Sequence, residues 1–377
     1  MVLEEINWNV LGIFAGTLII AELFIHSKVP IRLTDCLVER SKTVGIALLW
    51  ICILTSLISA FVENVATVLI VAPLALELAK RMKVSPVPFL IGIAISSNLQ
   101  GTATLIGDPP SMILAGYERM TFNDFFIYKG SPSIFFAVEL GAVTSMLFLY
   151  LFYRRNKETV PPIPLEKVKS WIPTILLISM IIALAISSVL DPGFTYLGGI
   201  VCLGFGGVGL IWQWTKERAV SKKVISGYDW ETTLFLAGIF VLIGALKRVG
   251  VIEEMANLIK SFTGSSPFWN FTVIVWFSVL FSAFIDNVPY ITAMIPVCHL
   301  LADSLSLPPT LFVFGLLIGS CLGGNITPIG ASANITAMGL AKKMGYQVGF
   351  IQFARIGLPF TIIATFIGYL FVWFVWG

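Results

Sequence analysis

The chain has 377 residues, of which 57% are hydrophobic and only 12% charged, with a formal net charge of +3 and a mean hydropathy of +0.92. A soluble domain would carry about 45–50% apolar and about 25% charged residues, so the composition excludes one, and so small a positive charge gives nucleic acid no footing. Apolar runs of about 17–25 residues, well above the 9–11 of a barrel strand, make the expected class an all-α polytopic membrane protein with the lipid bilayer as solvent.

In chain order, Met1 to Asn7 carries Glu4 and Glu5 where a cleavable signal would be basic, so no such signal is expected. A first span is expected at 8–25. Segments 43–61 and 65–80 follow, joined at Glu63-Asn64, and then 88–116, interrupted by Gly101, Gly107, Pro109 and Pro110. Spans at 131–153, 170–189, 195–214 and 231–249 lead to segments 268–285 and 288–303, joined at Asp286-Asn287. The segment 309–340 is interrupted by Gly323, Gly324, Pro328 and Gly330, and 352–376 is the last span. As full spans, the joined pairs put their carboxylates near a bilayer face; as re-entrant hairpins, they put them near the midplane. The apolar pattern fits both. The cysteines (Cys36, Cys52, Cys202, Cys298, Cys321) have no CxxC spacing and read as small buried apolar residues.

The two halves repeat. Ser59-Ala60-Phe61-Val62-Glu63-Asn64-Val65 returns as Ser282-Ala283-Phe284-Ile285-Asp286-Asn287-Val288, and Gly101 to Gly107 matches Gly324 to Gly330 at the same offset of 223. Asn7-Trp8 pairs with Asp229-Trp230 at an offset of 222. This divides the chain into a first repeat (1–153), a cytoplasmic linker with two leading spans of the second repeat (154–230), and the core of the second repeat (231–377). The first copy is expected to lack those two leading spans. Loops 26–44, 80–87, 154–169, 215–230 and 341–351 hold 18 Lys and Arg, against 5 in 117–130 and 247–267, so the first set is expected to be cytoplasmic and both termini outside. Between the two repeat starts the chain crosses the membrane five times. An odd number inverts the second copy, the arrangement that supports alternating access around a midplane site.

An ionisable group in an apolar span costs about 2.5–3.5 kcal/mol on insertion scales, so Glu63 and Asp286 at matching places are functional candidates. Interrupted helices present unpaired N–H and C=O ends that dock ions without a side-chain cage. Asn64, Asn287, Thr102, Thr104, Asn325, Thr327, Ser332 and Asn334 add neutral oxygen or amide ligands suited to sodium, placed at Asn64, Asp286 and Asn287, and to oxyanionic solutes. A carboxylate there can trade a proton for an ion as access alternates. Plainer readings stand beside these: Glu63, Asp286 and Asp108 as helix caps, the Gly and Pro pairs as kinks, and Arg355 as a snorkelling anchor rather than an accessory partner of the site.

The motifs Ser282 to Pro296 (SAFIDNVPYITAMIP), Gly323 to Asn334 (GGNITPIGASAN), Ile106 to Ser111 (IGDPPS) and Phe353 to Pro359 (FARIGLP) resemble the ion transporter superfamily. That group includes arsenite permeases, the P protein of pigment cells, sodium/proton antiporters of the NhaD type and citrate or dicarboxylate transporters. The likeness is nearest the arsenite-permease and P-protein branch. It implies a scaffold domain and a moving transport domain, in which two re-entrant hairpins and two discontinuous helices meet around the solute and coupling ion, and a scaffold-mediated homodimer. Where the dicarboxylate branch has Ser-Asn-Thr at the tip, this chain has Glu63-Asn64-Val65 and Asp286-Asn287-Val288.

The expected function is a secondary active transporter of a small inorganic or organic ion, coupled to protons or sodium, in a bacterial or archaeal plasma membrane. No P-loop occurs and no cofactor is expected. The competing readings are an uncoupled channel and an intramembrane hydrolase with Glu63 and Asp286 as its acid/base pair. Against the hydrolase stands the inverted duplication, so the chain is not expected to be an enzyme.

Overall fold

In a computed structural model of the protein, residues 6–160 and 165–377 are described. Glu4 and Glu5, on which the reading of the N-terminus rests, and residues 161–164 of the expected linker lie outside them. The fold is helical throughout: α1 (Trp8–His26), α2 (Val29–Glu39), α3 (Val44–Ser59), α4 (Asn64–Met82), α5 (Val87–Gly101), α6 (Pro109–Glu118), α7 (Ile134–Tyr153), α8 (Ile172–Leu190), α9 (Leu197–Lys216), α10 (Arg218–Ser226), α11 (Trp230–Val249), α12 (Val251–Thr263), α13 (Pro267–Ser282), α14 (Asn287–Ser304), α15 (Thr310–Gly323), α16 (Ser332–Lys343) and α17 (Phe350–Trp376). A two-residue ribbon pairs β1 (Ile127–Tyr128) with β2 (Ser131–Pro132) before α7. Among the described residues α1, α7, α8, α9 and α17 are each long and apolar enough to cross a membrane.

Each expected segment has its helix, and both expected interruptions are breaks. The joined pairs become α3–α4 and α13–α14, and 88–116 and 309–340 each split into two helices, α5–α6 and α15–α16. At about 1.5 Å per residue, α3 and α13 are about 24 Å long, short of the roughly 30 Å hydrocarbon core. Three helices fall in stretches expected to be loops: α2, α10 and α12.

Helix ends follow their chemistry. Asn7 caps α1 by accepting from the Val10 N–H at 3.1 Å, and Pro109 and Pro110 open α6, where a missing N–H costs nothing. At the α8–α9 corner, slight burial works against the Asp191 charge, but donation from the Leu197, Tyr196 and Thr195 N–H groups outweighs it and holds the carboxyl at about 2.

Two groups of helices result. In the first, α3–α7 and α13–α17 interlock, because α16 packs on α4 and α5 of the other half while α6 packs on α14 and α15. In the second, α1 lies along α9 and touches α8. Gly12 and Gly16 face Gly199 and Cys202 so closely that an added methyl group would meet backbone. Asn9 locks this crossing by donating to the Phe194 carbonyl (3.1 Å) and accepting from the Gly199 N–H (2.7 Å). Small residues permit such close packing where lipid supplies no hydrophobic drive between helices.

Candidate functional site

Two hydrogen bonds recur at matching places in the junctions of the two halves. The Thr104 hydroxyl donates to the Ala60 carbonyl, and Thr327 does the same to Ala283. The Ser59 hydroxyl donates to the Ser97 carbonyl, and Ser282 to that of Ser320. Each bond ties a hairpin tip to the broken helix beside it. Gly101 and Gly107 sit against the Asn64 amide and the Ser59 carbonyl, and Gly324 and Gly330 crowd each other and Ala283, leaving no room for a side chain. Ser111 donates back to the Thr102 carbonyl (3.3 Å), and its counterpart Asn334 to those of Gly324 and Thr327 (2.8 Å each). The broken ends are thus closed by side chains from the helix that follows.

Between the tips lies a cavity of about 230 Å³ lined by Glu63, Asn64, Asp108, Asp286, Asn287 and Ser332, all expected from sequence, together with Asn98, Asp229, Glu231 and apolar Phe14 and Phe235. No Lys, Arg or His is among its lining residues. Glu63 and Asp286 are half-buried caps as well as cavity residues. Glu63 Oε2 accepts from the Ala66 N–H and Asp286 Oδ1 from Val288, each at 2.9 Å. The capping reading and the cavity reading therefore hold together.

Asp108 behaves differently. It precedes α6 yet makes no side-chain cap, because Pro109 and Pro110 offer no N–H and the Ser111 N–H bonds the Asp108 carbonyl instead (3.1 Å). It is 5% exposed, its Oδ2 is buried with no hydrogen-bond partner, and it lies within electrostatic reach of Glu63 and Asp286 and beside Asn64. Ala331 occupies the matching place in the second half.

Amides link the halves. The Asn64 amide donates to Asn98 Oδ1 (3.4 Å), and Asn98 donates to the Cys321 carbonyl (2.8 Å) and to Asn325 Oδ1 (3.1 Å). Asn98 escaped the sequence reading because its repeat position holds Cys321, so no duplication flags it. Asp229 was visible only as the start of a repeat, and Glu231 not at all.

The other expected site residues stand outside the cavity lining. Gly101, Thr102, Thr104, Gly107, Gly324, Asn325, Thr327, Gly330 and Asn334 build the two breaks, and the threonines and asparagines are committed mainly to backbone partners or to Asn98. Arg355 is exposed on α17 and not brought to the carboxylates. Among the described residues no three carboxylate, His or Cys groups converge to chelate a metal.

A family profile described as citrate transporter matches residues 1–319. An uncharacterised transporter of Mycobacterium tuberculosis is 30% identical over 99% of this chain and 88% of its own length. The P protein of Mus musculus is 26% identical over 97% of this chain, which spans 54% of that longer protein. Among solved structures, the YdaH transporter of Alcanivorax borkumensis has the same fold, with a TM-score of 0.63 at 14% identity, covering 98% of this chain and 86% of its own.

Proposed function

This chain belongs to the citrate transporter family and is an integral membrane transporter, and on that premise we propose that it is a secondary active carrier that moves a small ion by alternating access, coupled to sodium or protons. The observation that carries this reading is a cavity lined by five carboxylates, Glu63, Asp108, Asp229, Glu231 and Asp286, and by no basic side chain. Such a space favours a cation first. A carboxylic solute of the kind the family name indicates would meet repulsion there unless a cation shared the cavity.

The walls of the cavity come from both helix groups. Glu63, Asp108, Asp286, Asn287 and Ser332 belong to the interlocked body, whereas Phe14 stands on α1 and Asp229, Glu231 and Phe235 at the start of α11. In the proposed cycle the interlocked body is the transport domain and slides along α1 and α11, which with α8 and α9 form the scaffold. Sodium occupies Asn64, Asn287 and Asp286; loss of the ion on one side lets a proton take its place on the carboxylate. The reading includes both termini outside and the basic loops in the cytoplasm of a bacterial or archaeal cell, which the excess of Lys and Arg in those loops supports.

Exchange in proteoliposomes, scanning sodium, pH, citrate, arsenite and silicate, tests the reading. Asp286→Asn is expected to abolish coupled flux while the protein still inserts, because the amide keeps the cap and loses the charge. Undiminished coupled flux in that variant would falsify the coupling role. Glu63→Gln is expected to impair flux or change its ion dependence.

A further inference from the structure

The acidic cavity continues beyond Glu63. A second space of about 500 Å³ adjoins it, bounded by α1, α4 and the turn from α10 into α11, and Glu63, Val65, Asp229 and Glu231 face both. Its remaining charged wall is Glu22 of α1, 3.4 Å from His26 one helical turn on. No Lys, Arg or His lines either space. Asp229 and Glu231 are exposed, Glu63 is half-buried, and Asp108, with its unpartnered Oδ2, is at the buried end. Carboxylates thus run in series from an open mouth to an unsatisfied acceptor.

The duplication makes this mouth one-sided. Opposite Asp229 and Glu231 in the first copy stand Asn7 and Asn9. Both are occupied structurally: Asn7 caps α1 and donates to the Gly116 carbonyl at 3.3 Å, and Asn9 holds α9. Among the described residues the negative pair of the repeat start stands on the side of α10, whose loop carries Lys216, Arg218, Lys222 and Lys223.

We propose that Asp229 and Glu231, with Glu22, form a mouth that concentrates a small monovalent cation from the α10–α11 face and hands it to Glu63 and Asp108, so that the carrier takes up cation more readily on that face than on the other. This rests on the carrier reading above. Fixed negative charge at a low-dielectric cleft raises local cation concentration and on-rate by 10-fold or more at low salt, and added salt screens it. Because the carboxylates do not converge as a chelate, the ion is passed along rather than trapped.

The test is initial flux of the full chain in right-side-out and inverted vesicles, varying whichever of sodium or protons drives it, on one face at a time. Asp229→Asn with Glu231→Gln removes both charges and keeps a residue that caps α11 as well as Asp does. The expected result is a rise of about three- to tenfold in KM for the cation on the α10–α11 face, well above any rise on the other face. N-methylglucamine chloride is expected to raise the wild-type KM toward the variant's, and Asp229→Glu with Glu231→Asp to keep the wild-type value. An unchanged KM, an equal rise on both faces, or the same rise in the charge-conserving variant would overturn the mouth. Wild-type flux that depends on neither sodium nor pH would instead overturn the carrier reading, and the mouth with it.

Discussion

Asn98 shows how one unduplicated side chain joins the two halves. Its amide satisfies the Cys321 carbonyl and Asn325 Oδ1 across the interface while its oxygen accepts from Asn64, all at 1% exposure. Asn98→Ala leaves those groups without a partner in an apolar interior, which costs about 1–3 kcal/mol. Thermal unfolding in detergent is expected to fall accordingly, with flux, whereas Cys321→Ala, which keeps the carbonyl, is expected to shift it much less. Equal shifts would show that Asn98 contributes packing alone. Sequence made Glu63 and Asp286 legible because a carboxylate in an apolar run is costly and both halves retain it. It could not make Asn98 legible, since an Asn among Ser96, Ser97 and Gln100 is one polar residue of several until the fold sets it opposite Cys321. Asp108 was legible as a candidate, but its role as a failed cap required the geometry of Pro109 and Pro110.

At the scale of elements, the spans and breaks were readable because lipid removes alternatives: an apolar run of sufficient length can only be a helix, and Gly and Pro clusters at matching places interrupt it. The three short amphipathic helices were not. α2, α10 and α12 have 11, 9 and 13 residues and carry charge, so neither length nor hydropathy separates them from loops. Packing between elements is set by glycines whose purpose shows only in three dimensions. Gly315, Gly319 and Gly323, one helical turn apart on α15, receive Phe271, Val275 and Val279 of α13. A side chain at Gly319 would strike the Val275 carbonyl, whereas nothing lies within 4 Å of a methyl at Gly339 on α16. Gly319→Val is therefore expected to destabilise by about 1–3 kcal/mol through overpacking, and Gly339→Ala to be neutral or to stabilise by up to about 1 kcal/mol through a stiffer unfolded chain. Paired unfolding curves in one detergent check this; a harmless Gly319→Val would mean that the α13–α15 contact adjusts freely.

For the whole molecule, the question is which way the two halves face. Lys129, on the exposed turn between β1 and β2, and Lys222, exposed on α10, are separated by α7, α8 and α9, each long and apolar enough to cross a membrane. Three crossings are expected to put the two lysines on opposite sides whether the hairpins re-enter or span, because neither α3–α4 nor α13–α14 lies between them. From the distribution of 18 Lys and Arg against 5, Lys222 is expected in the cytoplasm and Lys129 outside. Cysteine scanning is well suited to test this, because Cys52, Cys202, Cys298 and Cys321 are all 0% exposed and only Cys36 needs replacing by Ser. In that background an impermeant maleimide is expected to label Lys129→Cys in right-side-out vesicles and Lys222→Cys only in inverted ones. Reversal of both would keep the inverted architecture and put the acidic mouth outside. Labelling of both from one face would break the odd count of crossings on which inversion of the second copy depends, and with it the opposed gates that alternating access requires.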